Sequence, residues 1–208
     1  MSKFNAEEVI HHFEKACVDE SDVNLLEYIA AYQEINKLFL LFGKIFGFVE
    51  SDVREKEQIL QSCNREDPKH YATVKAMTTW EINDSANPVK QGSRTLLRLH
   101  RALLFLKEFL VRLRDSPSNA QLPTMCRASY EVTLAKYHPW LIRKGVALAS
   151  CTLGSRETFI RAVAGCDGNN NPDEEQINST INRLITTASE IYERVQHIYE
   201  EGNILNLP

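Results

Sequence analysis

The segment from residue 92 to residue 106 is the feature that most constrains the fold of this chain. Its sequence, GSRTLLRLHRALLFL, has the apolar density of a helix buried on nearly every side, yet it carries three arginines. At about 100° per residue, five side chains fall within about an 80° sector of one helix: Arg94, Arg98, Ala102, Phe105 and Phe109. Two guanidinium groups at one end of an apolar stripe suit a ligand with an anionic head and an apolar body. An amphipathic helix whose first turns reach solvent would give the same pattern.

The remaining segments also have helical periodicity, and none alternates as a strand does. Capping residues, prolines and glycines predict helices over residues 5–17, 24–63, 68–84, 91–114, 123–138, 139–153, 155–164 and 173–201. The clearest loop is the glycine- and asparagine-rich stretch 165–172. No linker is long or polar enough to divide the chain. We therefore expect one all-α domain over residues 1–208, with about eight helices.

Composition narrows the class of protein. The net charge of −4 gives a nucleic-acid role no support, and no apolar signal segment opens the sequence. The most apolar run, residues 38–49, is too short to span a bilayer and contains Lys44. Five cysteines at long spacings favour reduced thiols over a disulfide framework or a zinc site. These features predict a cytosolic protein, with a monomer as the default state.

A second apolar stripe precedes Asp52 and Lys56 on the helix predicted over residues 24–63. Counted along one continuous helix from Leu38, the side chains that lie within roughly 60° of the Leu38 direction are Phe42, Ile45, Val49, Asp52, Val53 and Lys56. A surface ion pair worth about 0.3–0.5 kcal/mol would account for the two charges alone. The second interpretation is that the two helices, which have the same arrangement, share an apolar interior and a polar cap that covers it.

The segment YHPWLIRK, residues 137–144, combines a helix start with a tryptophan and two cations. Pro139 suits the first helical turn, which leaves His138 at the cap. His138 could donate a hydrogen bond to a ligand carbonyl or could only cap its own helix. Trp140 beside Arg143 and Lys144 is typical of a membrane-interface contact, with core packing of the indole as the alternative.

Motifs for catalysis or metal binding are missing from the sequence. The pair His11-His12 with Glu14 lacks the HExxH spacing, and the glycine-rich phosphate loops and the GxSxG nucleophile motif do not occur. We expect no enzyme activity, no metal and no cofactor.

The motifs described above resemble those of the glycolipid transfer protein superfamily. The matching segments are FGFVESDVREK from residue 46, RTLLRLHRAL from residue 94, YHPWLIRK from residue 137, CTLGSRE from residue 151 and LNLP from residue 205. They cover nearly the whole chain, while the loop at residues 165–172 diverges. The resemblance implies a two-layer sandwich of eight helices enclosing an apolar lipid pocket. It also implies non-vesicular transfer of a sphingolipid between membranes, with no bond made or broken.

The resemblance also assigns roles to residues of this chain. Asp52 would accept from the sphingoid amide N–H, and His138 would donate to the acyl carbonyl. Lys56, Arg94 and Arg98 would hold a phosphate through charge-assisted hydrogen bonds. Trp140, with Arg143 and Lys144, would contact the membrane. The apolar pocket for the lipid chains would include Phe42, Ile45, Val49, Val53, Phe105 and Phe109.

Two positions select the branch of the family. Glycolipid-binding members carry a tryptophan where this chain has Arg98 and an asparagine where it has Lys56. A guanidinium and an ammonium favour a phosphate over a stacked sugar, so the expected ligand is ceramide-1-phosphate. Arg101 lies on the other side of Arg94 from Arg98, and we expect it to be peripheral. A lipid sensor that binds the same ligand and a glycosphingolipid transfer protein remain the alternatives.

Overall fold

The computed structural model describes residues 3–41, 46–84, 89–166 and 172–208. These ranges contain nine α-helices and a short 3-10 segment at Ala135–Tyr137. The helices are α1 Ala6–Ala16, α2 Leu25–Leu41, α3 Gly47–Glu66, α4 Val74–Asn83, α5 Gln91–Asp115, α6 Leu122–Thr133, α7 Trp140–Ser150, α8 Arg156–Val163 and α9 Glu174–Glu201. The all-α class predicted from the sequence is confirmed. None of the helices in these ranges combines the length and the apolarity needed to cross a bilayer.

Sequence-based caps located the last two helices correctly. The Ser155 side chain accepts from the Thr158 backbone N–H and begins α8. Asp173 and Gln176 form a reciprocal capping box at the start of α9. Both caps satisfy backbone donors that the first helical turn leaves unpaired.

The single helix predicted over residues 24–63 is wrong. The amide of Asn36 in α2 donates to the Glu50 carbonyl of α3 at 3.0 Å, although a continuous helix would separate these residues by about 21 Å. The chain therefore reverses between them, and α2 and α3 pack against each other. Residues 42–45, which include Phe42 and Ile45, lie outside the described residues. The stripe drawn along one helix from residue 38 to residue 56 consequently holds only within α3.

The helix predicted from Pro68 begins later, at Val74. The Asp67 carboxylate accepts from the His70 backbone and ring, which stabilises a turn there instead of a helix. The following residues run beside the start of α2, where Leu25 N–H donates to the Ala72 carbonyl at 3.1 Å. Helix α4 starts only after this backbone contact, with Thr73 as its cap.

Helix α5 is central, because it packs against α3, α4, α6 and α9. Its first turn carries no acidic residue of its own. The fully buried Glu81 carboxylate of α4 instead accepts from the Gly92 and Ser93 backbone N–H groups, each at 2.8 Å. The Tyr71 hydroxyl donates to the same carboxylate at 2.9 Å. A negative charge at a helix N-terminus also complements the helix dipole, so Glu81 fixes where the arginine-bearing helix begins.

Close packing at this cap requires a glycine. A Cβ added to Gly92 would lie 2.6 Å from Met77 Sδ and 2.8 Å from Tyr71 Cε1. Any side chain at residue 92 would therefore displace the side chains of Met77 and Tyr71.

Replacement of Glu81 by glutamine should destabilise the protein by about 2–4 kcal/mol, because one amide N–H group would face a buried backbone donor. Equilibrium denaturation followed by circular dichroism measures the loss. Glu55→Gln on the exposed surface of α3 is the control, and it should change the unfolding free energy by less than about 0.5 kcal/mol. Equal stability of the two variants would contradict the capping role.

His100 lies buried between α5 and α9. Its Nε2 is 2.8 Å from Gln196 Oε1, and its ring stacks on Tyr192 with centroids 4.3 Å apart. Burial is the main cause that lowers the pKa of His100 to about 4. The imidazole is therefore neutral in the folded protein at pH 7.

His100 should make the fold less stable in acid. Between pH 6.5 and 4 the unfolded chain binds a proton at this residue and the folded chain does not, so the free energy of unfolding falls as the pH falls. From pH 7 to pH 5 this contribution should amount to about 2 kcal/mol. His100→Phe keeps an aromatic ring and removes the titration. Urea denaturation at pH 7 and at pH 5 gives the free energy of unfolding of wild type and of this variant. The difference between the two proteins should change by about 2 kcal/mol between these pH values. A difference that stays constant would contradict the assignment.

Candidate functional site

A cavity of about 610 Å³ opens where α3, α5, α6 and the segment leading into α7 meet. Most of its wall is apolar, and its charged groups come from α3 and α5. The lining residues are Phe39, Phe46, Phe48, Val49, Asp52, Val53, Lys56, Arg98, Leu99, Arg101, Ala102, Phe105, Cys126, Tyr130, Leu134, Tyr137, His138, Ile142, Val146 and Pro208. Four of the five predicted head-group residues, Asp52, Lys56, Arg98 and His138, thus meet at one cavity.

Asp52 and Lys56 form an ion pair on consecutive turns of α3. Lys56 Nζ lies 2.6 Å from Asp52 Oδ1 and 3.3 Å from the Asp52 carbonyl oxygen. Lys56 is buried, whereas 61% of the Asp52 side chain is exposed. Two acceptors leave the three-donor ammonium with a further N–H. The pair can therefore offer a donor from Lys56 and an acceptor from Asp52 to a bound molecule.

Arg98 is exposed at the cavity, and its guanidinium has no hydrogen-bond or ion-pair partner within the described residues. Arg94 lies one turn earlier on α5. Its Nε donates to the Pro208 carbonyl oxygen at 3.3 Å, and Pro208 itself lines the cavity. Arg94 therefore lies beside the cavity at residue 208, and its other guanidinium nitrogens have no partner within the described parts of the chain.

The expectation that Arg101 is peripheral is wrong, because this residue lines the cavity. Its Nη2 donates to the Leu205 carbonyl at 2.9 Å and to the Leu207 carbonyl at 3.3 Å. Its guanidinium carbon lies 4.0 Å from the centre of the Tyr137 ring. Seven residues correspond to nearly two full turns, so Arg101 lies only about 20° from Arg94 around the helix. Arg101 joins α5, the segment before α7 and residues 205–207.

The half-buried His138 is held by a neighbour from α6. The Tyr130 hydroxyl lies 2.8 Å from His138 Nδ1. Burial is the main cause that lowers the pKa of His138; Asp52 raises it, and Lys56 lowers it. Near neutral pH the ring is therefore an uncharged group that can donate from one nitrogen.

The predicted apolar pocket residues occupy different depths. Val49, Val53 and Phe105 line the cavity. Phe109 lies farther along α5, fully buried, with its ring centre 6.1 Å from that of Phe105 and 5.5 Å from that of Phe159. Apolar packing thus continues from the cavity wall into the core.

Trp140 is 69% exposed, so it does not pack in the core. The next residues are also apolar and exposed, with Leu141 at 72% and Ile142 at 41%. Arg143 and Lys144 are exposed beside them, and Lys144 Nζ lies 5.7 Å from the centre of the Trp140 indole ring. The start of α7 therefore presents apolar and cationic side chains together.

A family model described as "Glycolipid transfer protein (GLTP)" matches residues 23–165. The chain belongs to this family. Ceramide-1-phosphate transfer protein of Danio rerio is 36% identical over 213 residues, which cover 99% of this chain and 98% of the relative.

Solved structures of this family are also similar in three dimensions. The apo crystal structure of mouse ceramide-1-phosphate transfer protein gives a TM-score of 0.89 at 32% identity, covering 99% of this chain and 100% of that one. The human ceramide-1-phosphate transfer protein in complex with 12:0 ceramide-1-phosphate gives 0.86 at 34% identity, with the same coverage. The predicted glycolipid transfer protein fold, a two-layer helical sandwich, is therefore confirmed.

The sequence reasoning missed part of the site. Tyr130, Tyr137 and Arg101 make polar or cation–π contacts at the cavity, Phe48 and Ile142 are exposed residues of its lining, and Leu141 is exposed next to Ile142 in the chain. The residues next to Trp140 could have been found, because LI directly follows the tryptophan and precedes two cations. Tyr130 carried no such signal, because its contact with His138 depends on the turn between α6 and α7.

Proposed function

We propose that this protein transfers ceramide-1-phosphate between membranes without making or breaking a covalent bond. The observation that carries the proposal is the Arg98 guanidinium, which has no partner among the described residues and lines the same apolar cavity as Lys56. A phosphate at this position would meet both a planar guanidinium and a compact ammonium, which form strong charge-assisted hydrogen bonds. The ceramide-1-phosphate transfer proteins to which the chain is similar support this choice of ligand.

Each polar residue at the cavity would bind a different part of the head group. Lys56, Arg98 and the nearby Arg94 would hold the phosphate, and the exposed Asp52 carboxylate would accept from the sphingoid amide N–H. His138 would donate to the acyl carbonyl through the nitrogen that Tyr130 leaves free. Among the described side chains that line the cavity, Lys56, Arg98 and Arg101 are positively charged, and Asp52 is the acidic one. The excess positive charge favours a dianionic phosphate over a neutral sugar.

The apolar wall would shield the lipid chains from water. Each methylene moved into water costs about 0.8 kcal/mol, so one sixteen-carbon chain would cost roughly 13 kcal/mol. Contact with Val49, Val53 and Phe105 would remove much of that exposure. Both chains of a long sphingolipid need more space than this cavity offers, so we expect the helices around it to move apart when the lipid enters.

The start of α7 would be the membrane contact. Trp140 and its apolar neighbours would enter the headgroup region, while Arg143 and Lys144 would meet anionic lipid heads. This surface adjoins the cavity, because Ile142 belongs to both. A lipid leaving the bilayer would therefore reach the cavity without crossing a wide layer of water. We propose that the protein acts as a single-domain monomer in the cytosol and visits the cytosolic face of membranes transiently.

Arg98→Leu and Lys56→Ala should each abolish transfer of ceramide-1-phosphate between vesicles, because each removes a charged donor for the phosphate. Fluorescence transfer between donor and acceptor vesicles measures the rate, and circular dichroism checks that helicity is retained. Arg114→Leu is a matched control: it removes the same charge from the far end of α5, where Arg114 pairs with Asp115. Its transfer rate should stay within twofold of wild type.

Normal transfer by both head-group variants would contradict the head-group assignment. Competition between ceramide-1-phosphate and galactosylceramide tests the ligand class separately. We expect ceramide-1-phosphate to displace the labelled lipid and galactosylceramide to leave it bound, and the reverse order would favour a glycosphingolipid carrier.

Trp140→Ala should weaken binding to vesicles about tenfold, which corresponds to about 1.4 kcal/mol, because the variant loses the apolar area that the indole buries at the membrane interface. Vesicle sedimentation measures the binding. Trp80→Ala is the control, since Trp80 is 39% exposed on α4 and stacks on His70 with centroids 3.9 Å apart. Equal losses for the two variants would place the membrane contact elsewhere.

A further inference from the structure

Tyr130 is a buried cavity residue for which the proposed function includes no contact with the ligand. Its hydroxyl lies 2.8 Å from His138 Nδ1, and the two ring centres are 5.7 Å apart. His138 Nε2 has no hydrogen-bond partner within the described residues, and the His138 side chain lines the cavity. The two ring nitrogens therefore have different environments: Nδ1 meets a phenol, and Nε2 is available to a ligand.

Both partners are uncharged near neutral pH. Burial is the main cause that raises the pKa of Tyr130; Glu131 raises it further, and Arg143 lowers it. The phenol therefore keeps its proton, and the lowered pKa of His138 keeps the imidazole neutral. A neutral imidazole carries one proton, on either Nδ1 or Nε2.

Hydrogen-bond accounting selects one of these two tautomers. If Nδ1 carried the proton, the hydroxyl would accept from it, and the phenolic proton would have no acceptor among the described residues. If Nε2 carries the proton, the hydroxyl donates to Nδ1, and the remaining N–H lies at the cavity, where water or a ligand can accept from it. The second arrangement is favoured because it pairs the phenolic proton of the buried Tyr130 and leaves the unpaired N–H at the cavity rather than inside the protein.

We propose that Tyr130 is a positioning residue that fixes the tautomer of His138, by donating to Nδ1 and so leaving the proton on Nε2 at the cavity. The functional part of this proposal rests on the role of His138 as a donor to the ligand carbonyl. A ring fixed in this tautomer can only donate from Nε2. It therefore accepts an N-acylated sphingoid base, which offers a carbonyl oxygen, and disfavours a lipid with a free ammonium at the same place.

The tautomer can be measured without any ligand. In long-range ¹H–¹⁵N spectra of histidine-labelled protein, a protonated ring nitrogen and an unprotonated one give separate ¹⁵N shifts, and His138→Ala identifies the signals. Wild type should show a protonated Nε2, and Tyr130→Phe should show a mixture of the two tautomers. Tyr137→Phe removes another hydroxyl from the same cavity and should leave the tautomer unchanged. A protonated Nδ1 in wild type, or an unchanged pattern in Tyr130→Phe, would overturn the proposal.

A double-mutant cycle tests whether Tyr130 acts through His138. Tyr130→Phe should lower ceramide-1-phosphate transfer about three- to tenfold in the wild-type background. It should lower transfer by less than twofold in a His138→Ala background, because the histidine that it orients is gone. Equal losses in both backgrounds would mean that Tyr130 acts independently of His138 and would contradict the positioning role.

The two proposals can fail separately. If wild type shows the protonated Nε2 and His138→Ala still transfers normally, the donor role of His138 is wrong, and with it the functional part of this proposal. If His138→Ala loses transfer while Tyr130→Phe keeps the wild-type tautomer, the proposed function stands and the positioning role is wrong.

Discussion

The site depends on a carboxylate that lies outside it. Glu81 caps the first turn of α5 from a neighbouring helix, and the glycine at residue 92 lets the two helices approach closely enough for this contact. A helix rises by a fixed distance and turns by a fixed angle at each residue. The residue at which α5 begins therefore also determines where its arginines project. The same cap stabilises a helix that has no acidic residue in its own first turn. The positions of Arg94, Arg98 and Arg101 are therefore set by a core interaction.

A second constraint is the burial of positive charge beside an apolar cavity. A buried ammonium is costly unless it is paired, and Lys56 meets this requirement through Asp52. Arg101 meets it through two backbone carbonyls and an aromatic ring. Arg98 differs, since it reaches solvent and has no such partner within the described chain. The cavity thus combines charges already stabilised by the protein with one that is open to an anion.

The sequence predicted the helical class, the family fold and the four cavity residues Asp52, Lys56, Arg98 and His138. It succeeded where the determinants are local, as at the Ser155 and Asp173 caps. It failed where tertiary contacts determine the ends of a helix. Helical periodicity continues in the sequence across the reversal between α2 and α3, so the periodicity does not reveal the reversal. The delayed start of α4 has a similar cause, since a turn and a backbone contact with α2 override the helix signal of Pro68. The roles given to the head-group residues remain predictions.

The cavity takes its lining from distant parts of the chain, from Phe39 of α2 at one end to Pro208 at the other. Contacts of such long sequence separation form late, because closing a long loop costs entropy before the contact is gained. While residues 205–208 are undocked, Arg101 lacks its carbonyl partners, and the cavity lacks part of its wall. A partly folded chain would therefore expose the apolar face of α5 without a complete head-group site. Competence to bind lipid and completion of folding should then be reached in the same step.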